Sequence, residues 1–189
     1  MGLVFVVCYP FVIPHLSEVS ADGGGGIPLP SGQFSIIAQG SIAICLDPSS
    51  LAEEPCSASG ALVVPISILN NGAGALDTAG NACFTFTEID ADLPVNASPP
   101  TVSVYRVAGK LTNYDSTTGT GDGSFATYSG GQCSGTSFNS SGATQVNGGT
   151  DHFVVSENGK RIDFVITSLT NPAVGDFSFS GTELRQTRD

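Results

Sequence analysis

A chain of 189 residues has room for one domain with a real core, and too little for two comfortable ones. Only 12% of the residues are charged, and 24 glycines among abundant Ser and Thr disfavour long charged helices and suit strands joined by polar turns. Seventeen acidic against six basic residues give a net charge of −11, which repels phosphate backbones and anionic membrane surfaces and so excludes nucleic acid as a partner class.

The chain starts with "MGLVFVVCYPFVIPHLSEVSA". Its apolar run is too short to cross a bilayer as a helix, and Val19-Ser-Ala21 has the small-residue spacing of a signal-peptidase site. A signal peptide over 1–21 is therefore expected, with a secreted product, extracellular or periplasmic, that has no membrane span. No Lys or Arg precedes the run, and Pro10 and Pro14 interrupt it, so a buried N-terminal strand is the alternative. Cysteine counting favours cleavage. Removing Cys8 leaves Cys45, Cys56, Cys83 and Cys133, an even set suited to an oxidising compartment. Of the three connectivities, Cys45 with Cys56 closes the Pro- and Ser-containing loop "CLDPSSLAEEPC", which leaves Cys83 to pair with Cys133.

Residues 22–32, "DGGGGIPLPSG" after the first Asp, have no periodicity and read as a flexible lead-in to a single domain over 33–189. Nine segments rich in β-branched and aromatic residues then recur: "QFSIIAQGSIAICL", "ALVVPISIL", "ACFTFTEID", "TVSVYRVAGKLTNY", "SFATYS", "CSGTSFN", "DHFVVSE", "KRIDFVITSL" and "DFSFSGTELRQ". Turns are expected at Asn70-Asn-Gly72, Gly80-Asn81, Gly130-Gly131 and Asn158-Gly159, the last a tight-hairpin signal between alternating apolar residues. Alternation puts Phe153 and Val155 on one face, Ile162, Phe164 and Ile166 on one face of the next strand, and Phe177 and Phe179 on one face of the last. No stretch sustains a helical period. The fold class is thus all-β: an antiparallel meander closing into a single β-barrel of lipocalin-like size, with a two-sheet β-sandwich as the alternative.

The stretches "GAGALDTAGNACFTFTE", "GKLTNYDSTTGTGDGSFATYSGGQCSGTSF", "HFVVSENGKRIDFVITSL" and "GDFSFSGTELRQ" together resemble a group of small secreted bacterial β proteins. That group shares a "C-x-G-T" strand, an "NG" hairpin and a final "SGTxxRQ" strand. The resemblance covers about two-thirds of the chain, implies a secreted barrel or sandwich, and supplies no activity and no catalytic residues.

Gly131-Gln-Cys133-Ser-Gly135 has the outline of a nucleophile elbow, but no helix follows it and a base is scarce: with the leader removed, His152 is the single histidine. Disulfide formation is the expected fate of Cys133. His152 lies opposite Phe153 by alternation and reads as a surface residue, and one histidine without a free cysteine makes no ordinary zinc site. Glu88, Asp90 and Asp92 fall at period two and share a face, which solvent tolerates or a hard cation such as calcium stabilises; solvation is the expectation. The Asp115–Asp122 stretch departs from EF-hand order and reads as a polar turn. The bases Arg106, Lys110, Lys160, Arg161, Arg185 and Arg188 are scattered, and Trp is absent, which weakens a sugar-binding role.

These readings point to a non-catalytic secreted β domain, a binding or surface-structural module with no cofactor and no metal. Its partner would be a small apolar ligand or another surface protein. In a barrel, Phe153, Ile162, Phe164, Phe177 and Phe179 would line the ligand cavity. The alternative is a barrel-type isomerase, or a carboxylate-based hydrolase using Glu88 or Asp90 with a second acid.

Overall fold

The computed structural model describes residues 26–92 and 101–186. The strands are β1 (Gly32–Leu46), β2 (Leu62–Leu76), β3 (Asn81–Asp92), β4 (Thr101–Asp115), β5 (Thr120–Ser129), β6 (Gln132–Ser134), β7 (Ser137–Asn139), β8 (Thr144–Ser156), β9 (Arg161–Leu169) and β10 (Val174–Arg185). Eight of them close a barrel in the order β1-β10-β9-β8-β5-β4-β3-β2, with all neighbours antiparallel. The sandwich alternative is therefore set aside. Closure falls between the first and last strands, where β1 pairs β10 from Phe34↔Arg185 to Ile44↔Val174 and leaves no open sheet edge. The cleavage site, Cys8 and Arg188 lie outside the described residues.

Glycine explains where the strand boundaries differ from expectation. Asn70-Asn-Gly72 is no turn: β2 runs through it to Leu76, with Gly72 opposite Phe86 and Gly74 opposite Phe84. The same pairing recurs around the barrel, as Gly40↔Phe179, Gly181↔Phe164, Gly121↔Phe153 and Gly109↔Phe125. At Gly40, Gly74, Gly121 and Gly181 the ring has the space a side chain would have filled. A Cβ at Gly74 would sit 2.6 Å from Phe84 Cδ1, one at Gly181 2.6 Å from Phe164 Cζ, and one at Gly121 2.5 Å from Phe153 Cζ. These rings lean across glycines, and the aromatic surface shields backbone that glycine leaves bare.

The other turn signals are realised. Asp77 Oδ1 accepts from the backbone N–H groups of Ala79 and Asn81, and Gly80 takes a φ of 81° to close the β2–β3 turn. Asp115 does the same for the β4–β5 turn through the N–H of Thr117. Between β8 and β9, Glu157, Asn158 and Gly159 adopt φ of 52°, 54° and 81°, three successive left-handed residues in a short 3₁₀ turn. These three turns share one end of the barrel, and that end is closed. Phe34, Leu76, Ala82, Phe84, Phe153, Val155 and Ile162 form one buried cluster there. Tyr114 stacks on Phe153 at 6.1 Å, and its hydroxyl donates to the Ile27 carbonyl at 2.9 Å. Within the stretch expected as a lead-in, Ile27 packs against this cluster and its N–H donates to the Ser116 carbonyl at 2.7 Å.

The expected single strand "CSGTSFN" is instead a hairpin, β6–β7, lying outside the barrel wall. Gly130 and Gly131, with φ of 82° and 73°, redirect the chain off the end of β5. Phe138 then stacks on Tyr128 at 4.3 Å, Thr136 donates to Asp77, and Cys133 bonds to Cys83 on the outer face of β3. Ala108 and Ala126 pair on the intervening outer wall, where their short side chains leave room for the hairpin to cross.

Candidate functional site: a one-ended cavity in the barrel

The barrel interior holds a cavity of about 530 Å3. Even-numbered positions of β1 and β2 face it: Ile36, Ala38, Ile42 and Ile44 on the first strand, Ile66, Ile68 and Asn70 on the second. From β3 come Phe84, Phe86, Glu88 and Asp90, and from β4 Tyr105 and Val107. The base is the plug just described, with Phe153 and Ile162 only 1% and 2% exposed. The opposite end carries the exposed Val146 and Glu53 and the half-buried Ile44, Ile66 and Val174, and it forms the mouth. Beside it, the β1–β2 loop is tied by Cys45–Cys56, with Cα atoms 5.1 Å apart.

Of the residues expected to line a cavity, Phe153, Ile162, Phe164 and Phe179 do so. Phe177 pairs with Ile42 on the same inward face and stands outside the lining. Both expected disulfides are present, and the Cα separation of 5.6 Å for Cys83–Cys133 lies well within the reach of a bridge. Cys133 is thereby spent as a nucleophile. His152 is exposed on the outer face, its Nδ1 3.0 Å from Asp122 Oδ1. Its hydrogen bond holds the Asp122 carboxyl below the ordinary range.

The acidic face is the main departure from the sequence reading. Glu88 and Asp90 do not point to bulk solvent but into the cavity, because β3 alternates with Phe84 and Phe86 on the same inward face. The Asp92 side chain lies outside those described. Two further carboxyls, Asp151 on β8 and Glu183 on β10, face the lumen nearer the plug, where Asp151 sits opposite Gly123 and Glu183 opposite Ile36 and Ile162. Desolvation by the apolar wall raises all three groups for which a shift is resolved. Glu88 is pushed up to about 7, with the Asp90 charge adding to the burial effect. Asp151 is raised to about 6, helped by the charge on Asp122, and Glu183 to about 8, helped by Asp151. Asn70, only 7% exposed, donates to Glu88 and moderates its shift, while its Oδ1 has no hydrogen-bond partner.

No sequence signal isolates Asn70, since Asn-Asn-Gly reads locally as a turn; only the pairing Asn70↔Glu88 gives it a place. Among the described residues, no three His, Cys, Asp or Glu side chains converge as metal ligands, and no helix is long and apolar enough to cross a membrane. In comparisons with known proteins, no family model, no curated protein and no solved structure matches the chain.

Proposed function

We propose that the chain is a secreted carrier that takes a small apolar ligand into the barrel. The observation that supports this most is the cavity itself: about 530 Å3, floored by a buried plug, open at one end and walled by Ile, Val and Phe. Pockets of about 300–1,000 Å3 enclose ligands of drug-like size, and apolar lining supplies affinity through surface removed from water. Two disulfides that account for Cys45, Cys56, Cys83 and Cys133 are compatible with an exported protein. The test is titration with diphenylhexatriene, an apolar fluorophore that is dark in water. One site per chain should light up, and Ile66→Trp, which fills the mouth, should abolish the signal without lowering the melting temperature appreciably. Fluorescence unchanged by Ile66→Trp would place the dye elsewhere and remove the carrier reading.

A carboxylate-based hydrolase is the second reading, favoured by one observation: Glu88, raised to about 7, and Asp90 face the same cavity two residues apart on β3. The predominantly apolar wall favours the carrier. Turnover of aryl glycosides or aryl esters that disappears in Glu88→Gln would favour the enzyme.

A further inference from the structure

Apart from Lys110, the charged groups that line the cavity are carboxyls. Five carboxyls, those of Glu53, Glu88, Asp90, Asp151 and Glu183, line it, together with the buried amide oxygen of Asn70. The described basic side chains are engaged elsewhere or stand outside the wall. Lys110, at the margin of the lining, spends its ammonium on the Ala79 carbonyl at 2.6 Å and on Asn81 Oδ1 at 2.9 Å. Arg161 is paired with Asp163 at 2.8 Å, and Arg106 falls on the outer face of β4, between the inward Tyr105 and Val107. Lys160 and Arg185 are exposed at the closed end. The charge facing the interior is thus predominantly negative.

Within that interior, Asn70 Oδ1 marks a position. A buried carbonyl oxygen without a donor has lost its hydration uncompensated, so a group supplying N–H to it is favoured on arrival. Asn70 moderates the shift of its neighbour Glu88, and Asp90 follows on the same inward face. A donor placed here meets an amide oxygen and two carboxyls at once. An alcohol supplies one hydrogen and no charge. A carboxylate or phosphate ligand would be repelled. A metal ion finds no three converging ligands among the described residues. An alkylammonium carries three donors and the missing positive charge on a body that suits the Ile and Phe wall.

We propose that the carrier selects apolar amines, bound as ammonium ions to Asn70 Oδ1, Glu88 and Asp90 with the hydrocarbon body against the barrel wall. This rests on the reading of the barrel as an apolar-ligand carrier and names the class of ligand. The groups facing Glu88 are Asn70 on β2, Asp90 on β3 and Tyr105 on β4, with Glu53 at the mouth and Asp151 and Glu183 deeper in. Because burial holds Glu88 near 7, amine binding at lower pH must displace a proton, so the preference for amine weakens as pH falls through that value.

The test is displacement of diphenylhexatriene by octylamine, octanol and octanoate, which share one chain and differ in the head group. At pH 8 octylamine should bind at least about tenfold more tightly than octanol, and octanoate more weakly than both. At pH 6 the amine-to-alcohol ratio should shrink several-fold. Glu88→Gln should bring the ratio close to one and remove its pH dependence; Asn70→Leu, a second variant independent of charge, should lower the ratio partway. Equal affinities for amine and alcohol, an octanoate preference, or a ratio indifferent to both substitutions would overturn the proposal. Failure of diphenylhexatriene itself to bind would instead overturn the carrier reading beneath it.

Discussion

The two ends of the barrel are made from the same eight strands and behave as different materials. At the closed end, rings and branched aliphatics meet across the axis: Phe34 and Phe153 are almost completely buried, Tyr114 stacks on Phe153, and residues from Ile27 onward lie over the base. Toward the mouth, Ile42 pairs with Ile66 and Ile44 with Val174 along the wall of an open cavity, and Glu88 and Asp90 face the same space. Stability is concentrated where side chains fill the lumen, and open space where they do not.

The largest effect should come from opening the plug. Phe153→Ala should cost about 3–5 kcal/mol in urea unfolding, whereas Ile66→Ala at the mouth should cost clearly less, since a half-exposed side chain there leaves no sealed cavity. Comparable losses would erase the distinction between the ends. Next comes the outer hairpin: replacing Cys83 and Cys133 together by Ser should lower stability by about 2–5 kcal/mol while leaving diphenylhexatriene affinity intact, because the bridge lies outside the wall. A matching loss of dye binding would show that the hairpin shapes the lumen. Gly181→Ala should cost about 1–3 kcal/mol, as the new Cβ displaces the Phe164 ring, and should also weaken dye binding if the ring turns inward.

The smallest effect sharpens the comparison through pH. Glu88, Asp151 and Glu183 are raised in the folded chain, so between about pH 4.5 and 8 the folded state holds more protons than the unfolded one, and stability falls as pH rises through that window. Melting temperature should therefore decline from pH 5 to pH 8.5. Glu183→Gln should flatten the upper part of the decline, because Glu183 titrates highest. A melting temperature that climbs over this range would mean that these carboxyls are not desolvated by the wall.

Much of the scaffold is legible in the residues. Alternation in "DHFVVSE" and "KRIDFVITSL" assigns Phe153, Val155, Ile162 and Phe164 to the inside correctly, because one face of each strand is buried and the other wet. The cysteine count yields both bridges. What sequence reasoning loses is carried by glycine and by long-range register. Gly72 and Gly74 read as breakers, yet they lie within β2 opposite Phe86 and Phe84, and the residues of "TQVNGGT" extend β8 well upstream of His152 for a related reason. A local window sees the glycine and not the ring that covers it. The acidic face fails in the same way: period two establishes that Glu88 and Asp90 share a side, but only the flanking Phe84 and Phe86 and closure of the barrel determine that this side is the inner one. Asn70 becomes visible as part of the site only through its pairing with Glu88.

The glycine–phenylalanine pairs make the calibre of the lumen adjustable in one direction. Trimming Phe84, Phe86, Phe164 or Phe179 to a smaller residue enlarges the space over an undisturbed backbone, whereas enlarging the facing glycine collides with a ring or a main chain. Ligand size in descendants of this barrel would then drift through the aromatic positions while the glycines stay fixed. An engineer seeking a roomier pocket would begin with the rings and leave their floors alone.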